Sequence, residues 1–115
     1  MTSSNFNDLS EKIANLDKGD SDGRLYGIIL KAGNANSWRQ VYPENGTDFK
    51  LEELYVFVGS PIEVVYTDNK QLMVINEEGK IKGLPLNMTA TMFSGLFPDD
   101  VIAGDALMCS LDMVL

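Results

Sequence analysis

The sequence predicts an α+β domain, a mainly antiparallel sheet with two core helices plus a short N-terminal helix. Three observations carry that prediction. Two apolar, β-rich runs, residues 62–67 and 71–76, are separated only by Asp68-Asn69-Lys70, the length and residue type of a hairpin turn. Residues 47–59 carry helix punctuation at both ends around an apolar stripe of helical spacing. Helical and extended segments interleave along the chain instead of separating into halves.

Each element follows in order. Phe6, Leu9, Ile13 and Leu16 recur at three and four residues, one face of an amphipathic helix, with Ser4, Asn5 and Asn7 as candidate caps. The polar, glycine-containing run 16–23 then reads as a linker. Residues 1–23 are therefore expected to be separable from a single domain of residues 24–115, the helix packing on that domain or fraying, or else docking on a partner. Leu25-Tyr-Gly-Ile-Ile-Leu30 is a short buried strand, Gly33–Ser37 a turn, and Trp38–Tyr42 the return strand of a hairpin. In the 47–59 helix, Thr47 or Asp48 caps, Glu52 and Glu53 favour the positive end of the helix dipole, and Gly59 and Pro61 stop it. Its buried stripe is expected to be Leu51, Leu54, Tyr55 and Val58.

After the 62–76 hairpin, Glu77-Glu78-Gly79 turns the chain, and Lys80-Ile81-Lys82 alternates as a short third strand would. Asn87 is placed to cap a helix Met88–Ser94 ended by Gly95, with Met92 and Phe93 inward. As a cap alone, Asn87 would be replaceable by Ser or Asp. Asp99-Asp100 turns the chain again, and residues 106–111 form a closing strand.

Composition bounds function by exclusion. A chain of 115 residues with 44% hydrophobic content supports one self-sufficient core. Seventeen acidic against nine basic residues give a net charge of −8, which disfavours direct binding to nucleic acid or to an anionic membrane surface. No histidine is present, so Ser–His and Cys–His nucleophiles, HExxH zinc sites and histidine general bases are ruled out. One cysteine, Cys109, forbids an internal disulfide and a Cys/His zinc site within one chain. The first residues lack the pattern of a signal peptide and no apolar run approaches the ~18 residues of a membrane span, so a cytoplasmic protein is expected.

Several motifs invite chemistry. Asp20-Ser-Asp22-Gly23 matches part of a calcium-binding loop, but the register puts Lys18 and Ile29 where two oxygen ligands must be. Lys80, Lys82, Gly83, Leu84, Pro85 and Asn87 surround a helix start, which favours anionic groups, and form the candidate ligand-binding site. The same residues are accounted for by a stiff turn and a cap. Glu77-Glu78 and Asp99-Asp100 lack partners at a diagnostic spacing and read as solvated turns. Cys109 sits in an apolar strand with no cation beside it, an inert core thiol. Arg24, Lys31 and Arg39 interleave with Tyr26, Trp38 and Tyr42, a pattern seen on nucleic-acid surfaces but set here against −8.

The middle of the chain resembles a known family. Gly59–Val65, Met73–Lys80, Lys82–Asn87 with Ala90, and Asp100–Asp105 follow one another in the order and spacing of the DUF3846 family, from about Leu25 to the C-terminus. Met88 stands where that family often has proline after the asparagine. The resemblance implies an accessory protein of bacterial, phage or plasmid origin, with no catalytic residue, cofactor or substrate attached. Two functions are then open. One is a non-enzymatic binding or interaction module, without cofactor, whose partner is a protein, a small molecule or a second copy of itself. The other is an acidic nucleic-acid mimic that inhibits a host DNA-binding protein.

Overall fold

The computed structural model describes residues 2–3, 6–33, 37–68 and 70–114. Along the chain run β1 (Thr2–Ser3), α1 (Phe6–Ala14), β2 (Gly27–Leu30), β3 (Trp38–Val41), α2 (Leu51–Val58), β4 (Ile62–Asp68), β5 (Gln71–Asn76), α3 (Met88–Ser94) and β6 (Ala106–Ser110). The strands form one sheet in the order β1-β3-β2-β6-β5-β4, every pairing antiparallel. The α+β class and both hairpins stand as read from the sequence. The closing strand does not close an edge. β6 enters between the two hairpins, pairing with β2 on one side and β5 on the other.

Side-chain alternation assigns the two faces. Ile28, Leu30, Trp38, Met73, Ile75, Ala106 and Met108 point to one side, where Leu9 and Ile13 of α1, Leu16 and Ala90 of α3 cover them. Ile29, Leu72, Val74, Leu107 and Cys109 point to the other, under Phe49 and the Leu54 and Val58 of α2. The sheet is thus the middle of three layers, and β2 and β6 are buried on both faces.

Several local expectations are corrected. Leu9 and Leu16 are completely buried and belong to the same cluster as the central strands, so α1 is packed as part of the main core. Of the cap candidates for α1, Ser4 and Asn5 lie outside the described residues, as do residues 34–36 and Asn69 in the two hairpin turns. The second helix begins at Leu51, not near Thr47. Asn45 Oδ1 accepts from the Thr47 and Asp48 N–H groups, which holds that stretch in a turn. Glu53 reaches back instead, accepting from the Lys50 N–H at 2.8 Å and the Glu44 N–H at 3.0 Å. Leu51 and Tyr55 of the expected stripe are exposed, because Leu54, Phe57 and Val58 face the sheet.

Residues 80–82 are not a strand. Asn76 Oδ1 accepts from the Glu78 N–H, and the Lys82, Gly83 and Leu84 N–H groups bond back to Glu78, Lys80 and Gly79 carbonyls, so the chain coils as it leaves β5. Gly79 is needed there, since a Cβ would lie 2.3 Å from the Ala103 carbonyl oxygen. Met92 points out, 66% exposed, while its neighbour Phe93 packs against the core.

Candidate functional site

A cleft of about 420 Å³ lies between α1, the loop that follows it and the β2–β3 hairpin. Helix α1 turns Leu9 and Ile13 to the sheet and so presents Asp8, Glu11 and Lys12 along the cleft. Asn15, Gly19, Asp20 and Ser21 form the end wall, and Tyr26, Trp38 and Gln40 form the floor.

The walls are cross-linked by short polar bonds. Asp20 Oδ1 accepts from the Asp22 and Arg24 N–H groups, both at 2.9 Å, which closes the loop into a tight turn. Its Oδ2 accepts from the Tyr42 hydroxyl at 2.6 Å, and Gln40 Nε2 donates to that hydroxyl at 2.8 Å. Tyr26 donates to the Lys12 carbonyl at 2.7 Å and ties the floor to α1. The Arg24 guanidinium lies 4.2 Å from the Tyr42 ring centroid and Lys12 Nζ 5.6 Å from that of Tyr26, within cation–π reach.

These contacts set the protonation states. The Tyr42 hydrogen bond, then the Arg24 N–H, hold the Asp20 carboxyl below the usual range. The same hydrogen bond raises Tyr42, and burial pushes Tyr26 up to about 12. The cleft lining thus carries Asp8, Glu11 and Asp20 with Lys12 and the Tyr26 phenol, and Tyr42 stands behind Asp20.

The sequence-derived site at residues 80–87 is distributed over several surroundings. Lys80 pairs with Asp100 beside a depression at the end of β4 and β5. Lys82 Nζ donates to the Ser60 carbonyl and lies 3.8 Å from Glu78. Gly83 is exposed, and Leu84 and Pro85 line a shallower depression with Gly104 and Asp105. Asn87 is buried. It caps α3 as read from the sequence, its Oδ1 accepting from the Ala90 N–H at 2.9 Å. Its Nδ2 donates to the Leu30 and Gly104 carbonyls, each at 2.9 Å, so both amide hydrogens are used inside the protein.

Other candidates fall into structural roles. Asp100 is held below the usual carboxylate range by Lys80. Lys31 pairs with Asp105 at 2.9 Å. Burial pushes the Cys109 thiol up to about 12, which keeps it protonated. Among the described residues no group of three or more His, Cys, Asp or Glu could hold a metal ion, and no helix is long and apolar enough to cross a membrane.

Sequence reasoning grouped Tyr26, Trp38 and Tyr42 in one basic–aromatic pattern, took Asp20 apart in the loop motif, and missed their convergence. The signal was in the hairpin: Gly27 pairs with Val41, so the register carries Tyr26 and Tyr42 to facing positions. Their rings meet edge-on at 6.5 Å.

Fold and cleft together define a small three-layer α+β domain with a cleft on one helical face. Residues 28–113 match the family model described as a domain of unknown function, DUF3846, and the chain belongs to that family. No curated protein and no solved structure matches it. Eight of the ten cleft residues precede residue 28, so the cleft is built by laying the N-terminal segment against the family domain.

Proposed function

We propose that this protein is a non-enzymatic binding module, a cytoplasmic accessory protein of a mobile element, that takes a small molecule or a short protein segment in the α1–hairpin cleft. One observation carries the reading. The cleft wall is locked before any ligand arrives, with Asp20 held by Tyr42 and two backbone amides, and Tyr42 held in turn by Gln40. Preorganised walls lower the ordering cost of binding. The protonation states support binding over proton transfer, since the displaced groups in the cleft move away from neutrality. The mobile-element role rests on family resemblance.

Trp38, the single tryptophan, lines the cleft and reports on its occupation. Screening a small-molecule library by Trp38 fluorescence, with amide-shift mapping of hits, should place shifts on Asn15, Gly19, Ser21 and Gln40. Tyr42→Phe should weaken such binding while leaving the protein folded, because it frees Asp20 from one anchor. Hits that map to residues 80–87 would move the site there. Turnover in a hydrolase screen, abolished by a single side-chain replacement, would overturn the non-enzymatic reading.

A further inference from the structure

The sheet ends differently at its two edges. β1, at one end, is two residues long, whereas β4, at the other, spans seven and is the longest of the described strands. An edge of that length carries a row of backbone donors and acceptors that a further strand can pair with. The ladder fixes which groups those are. The Glu77 N–H donates to the Pro61 carbonyl, so by alternation Glu63–Ile75 and Val65–Met73 are the hydrogen-bonded pairs of β4 and β5. The other side of β5 agrees, since the Leu111 N–H donates to the Lys70 carbonyl and assigns Leu72 and Val74 to β6. Ile62, Val64 and Tyr66 therefore point their N–H and carbonyl groups away from β5. Among the described residues, no backbone bond from outside the ladder reaches them.

Charge beside this edge selects the occupant. Glu63 lies within the free stretch and, with Glu77, lines a depression of about 400 Å³ at the end of β4 and β5. Both are exposed. Lys80 lines it too but is paired with Asp100, and among the described residues no ion pair reaches Glu63 or Glu77. A second copy would bring a further −8, and a β4–β4 pairing centred on Glu63 would set that carboxylate against its own equivalent. A Lys or Arg on a foreign strand meets two carboxylates instead. Tyr66, 62% exposed on the other face of β4, adds an aromatic surface for a neighbouring residue of the same strand.

From this unpaired edge and the carboxylates beside it, we infer that β4 receives an extended segment of another protein as a further antiparallel strand, with a Lys or Arg opposite Glu63. Antiparallel pairing is that of every other neighbour in the sheet. The edge lies at the opposite end of the sheet from the hairpin that floors the cleft, and the inference is independent of that cleft.

Blocked peptides of about seven residues, the length of β4, test it in solution with the full-length protein. In the set, Val and Thr alternate around a central Lys, Arg, Gln or Glu. The Lys and Arg peptides should shift the amides of Ile62, Val64 and Tyr66 and bind at least about tenfold tighter than the Glu peptide. That preference should shrink as salt is raised, and Glu63→Lys, at an exposed position, should reverse it. Opposite Glu63, the cation's own N–H points away from β4 and those of its two flanking residues point towards it. Methylating the two flanking nitrogens of the Lys peptide should abolish binding, and methylating that of the Lys should not. This comparison leaves the protein untouched. Tyr66→Pro removes one outward donor at an exposed position and should weaken the same peptide. No binding by any peptide of the set, equal binding of the Lys and Glu peptides, or indifference to which nitrogens are methylated would each overturn the inference. So would shifts confined to Asn15, Ser21 and Gln40, which would put the peptides in the cleft.

Discussion

The two faces of the sheet are covered by different means. On one face, α1 and α3 are tied to the strands and to each other's surroundings by side-chain bonds to buried or half-buried carbonyls. Asn87 reaches Leu30 and Gly104, Gln71 reaches Ile13 and Tyr26 reaches Lys12. On the other face α2 rests on apolar contact from Leu54, Phe57 and Val58, with the Phe49 ring edge-on to Phe57, and Asn76 of the sheet donates to its Val58 carbonyl. Helices of seven to nine residues are marginal by themselves. The difference teaches that a short helix is fixed in two ways: apolar burial holds it down, and directional bonds choose where it sits.

Removing residues 1–22 is the largest test of that contrast. It deletes the fully buried Leu9 and Leu16 and uncovers Ile28, Leu30 and Met108, so loss of the cooperative thermal transition is expected. A truncated chain that still melts cooperatively would show that α3 alone covers this face.

Asn87→Ala comes next. It strands the Ala90 amide and the Leu30 and Gly104 carbonyls in the interior, and at roughly 1–3 kcal/mol for each group left unsatisfied the cost should be at least about 3 kcal/mol by urea denaturation. An exposed cap would cost only about 1 kcal/mol. Asp keeps the acceptor and loses both donors, and the shorter Ser hydroxyl offers one donor where Asn87 uses two, so neither should restore full stability. A mild effect of Asn87→Asp would mean that capping, not the clip to Leu30 and Gly104, is what matters.

On the α2 face, Leu54→Ala should cost about 2–5 kcal/mol through lost burial and cavity formation. Leu51→Ala, one turn earlier but exposed, should stay within about 0.5 kcal/mol. Equal effects at the two positions would show that the helix has rotated. Glu53→Ala removes the bonds to the Lys50 and Glu44 amides at an exposed helix start, and a shift of about 1 kcal/mol is expected in the same measurement.

The smallest effect is in pH. Tyr26 is raised from 10.0 to about 12 and Cys109 from 9.0 to about 12 on folding. Raised folded-state values mean stability that is complete below the unfolded values and falls as pH climbs from 9 towards 12. Tyr26→Phe should flatten the part of that fall contributed by the floor of the cleft, measured by urea midpoints across the alkaline range. Asp20 and Asp100 are displaced the other way, so their contribution is present above 3.8 and is lost as pH falls below it.

Much of this was legible locally. The β4–β5 hairpin, the α3 boundaries and the Asn87 cap follow from residues within a few positions of one another, where turn chemistry and capping act. The cap of α2 was not, because Thr47 and Asp48 are claimed by Asn45 and the reach of Glu53 back to Lys50 competes with them. Lys80–Lys82 alternates like a strand, yet Gly79 is pressed against Ala103, some two dozen residues on, and the chain coils. Periodicity cannot register a contact with a distant carbonyl.

The sequence by itself determined most of the helices and strands, residues 80–82 and the start of α2 excepted, the class of the fold, the exclusion of histidine chemistry and the family resemblance. Those depend on local spacing and residue type. Tertiary structure alone decided that β6 lies between the hairpins, that α1 belongs to the core, that Tyr26, Tyr42 and Asp20 meet in one cleft, and that Met92 faces outward. Each is a choice among distant partners. An apolar residue specifies that it favours burial, but only the packed chain specifies against what, and which of them are left at the surface.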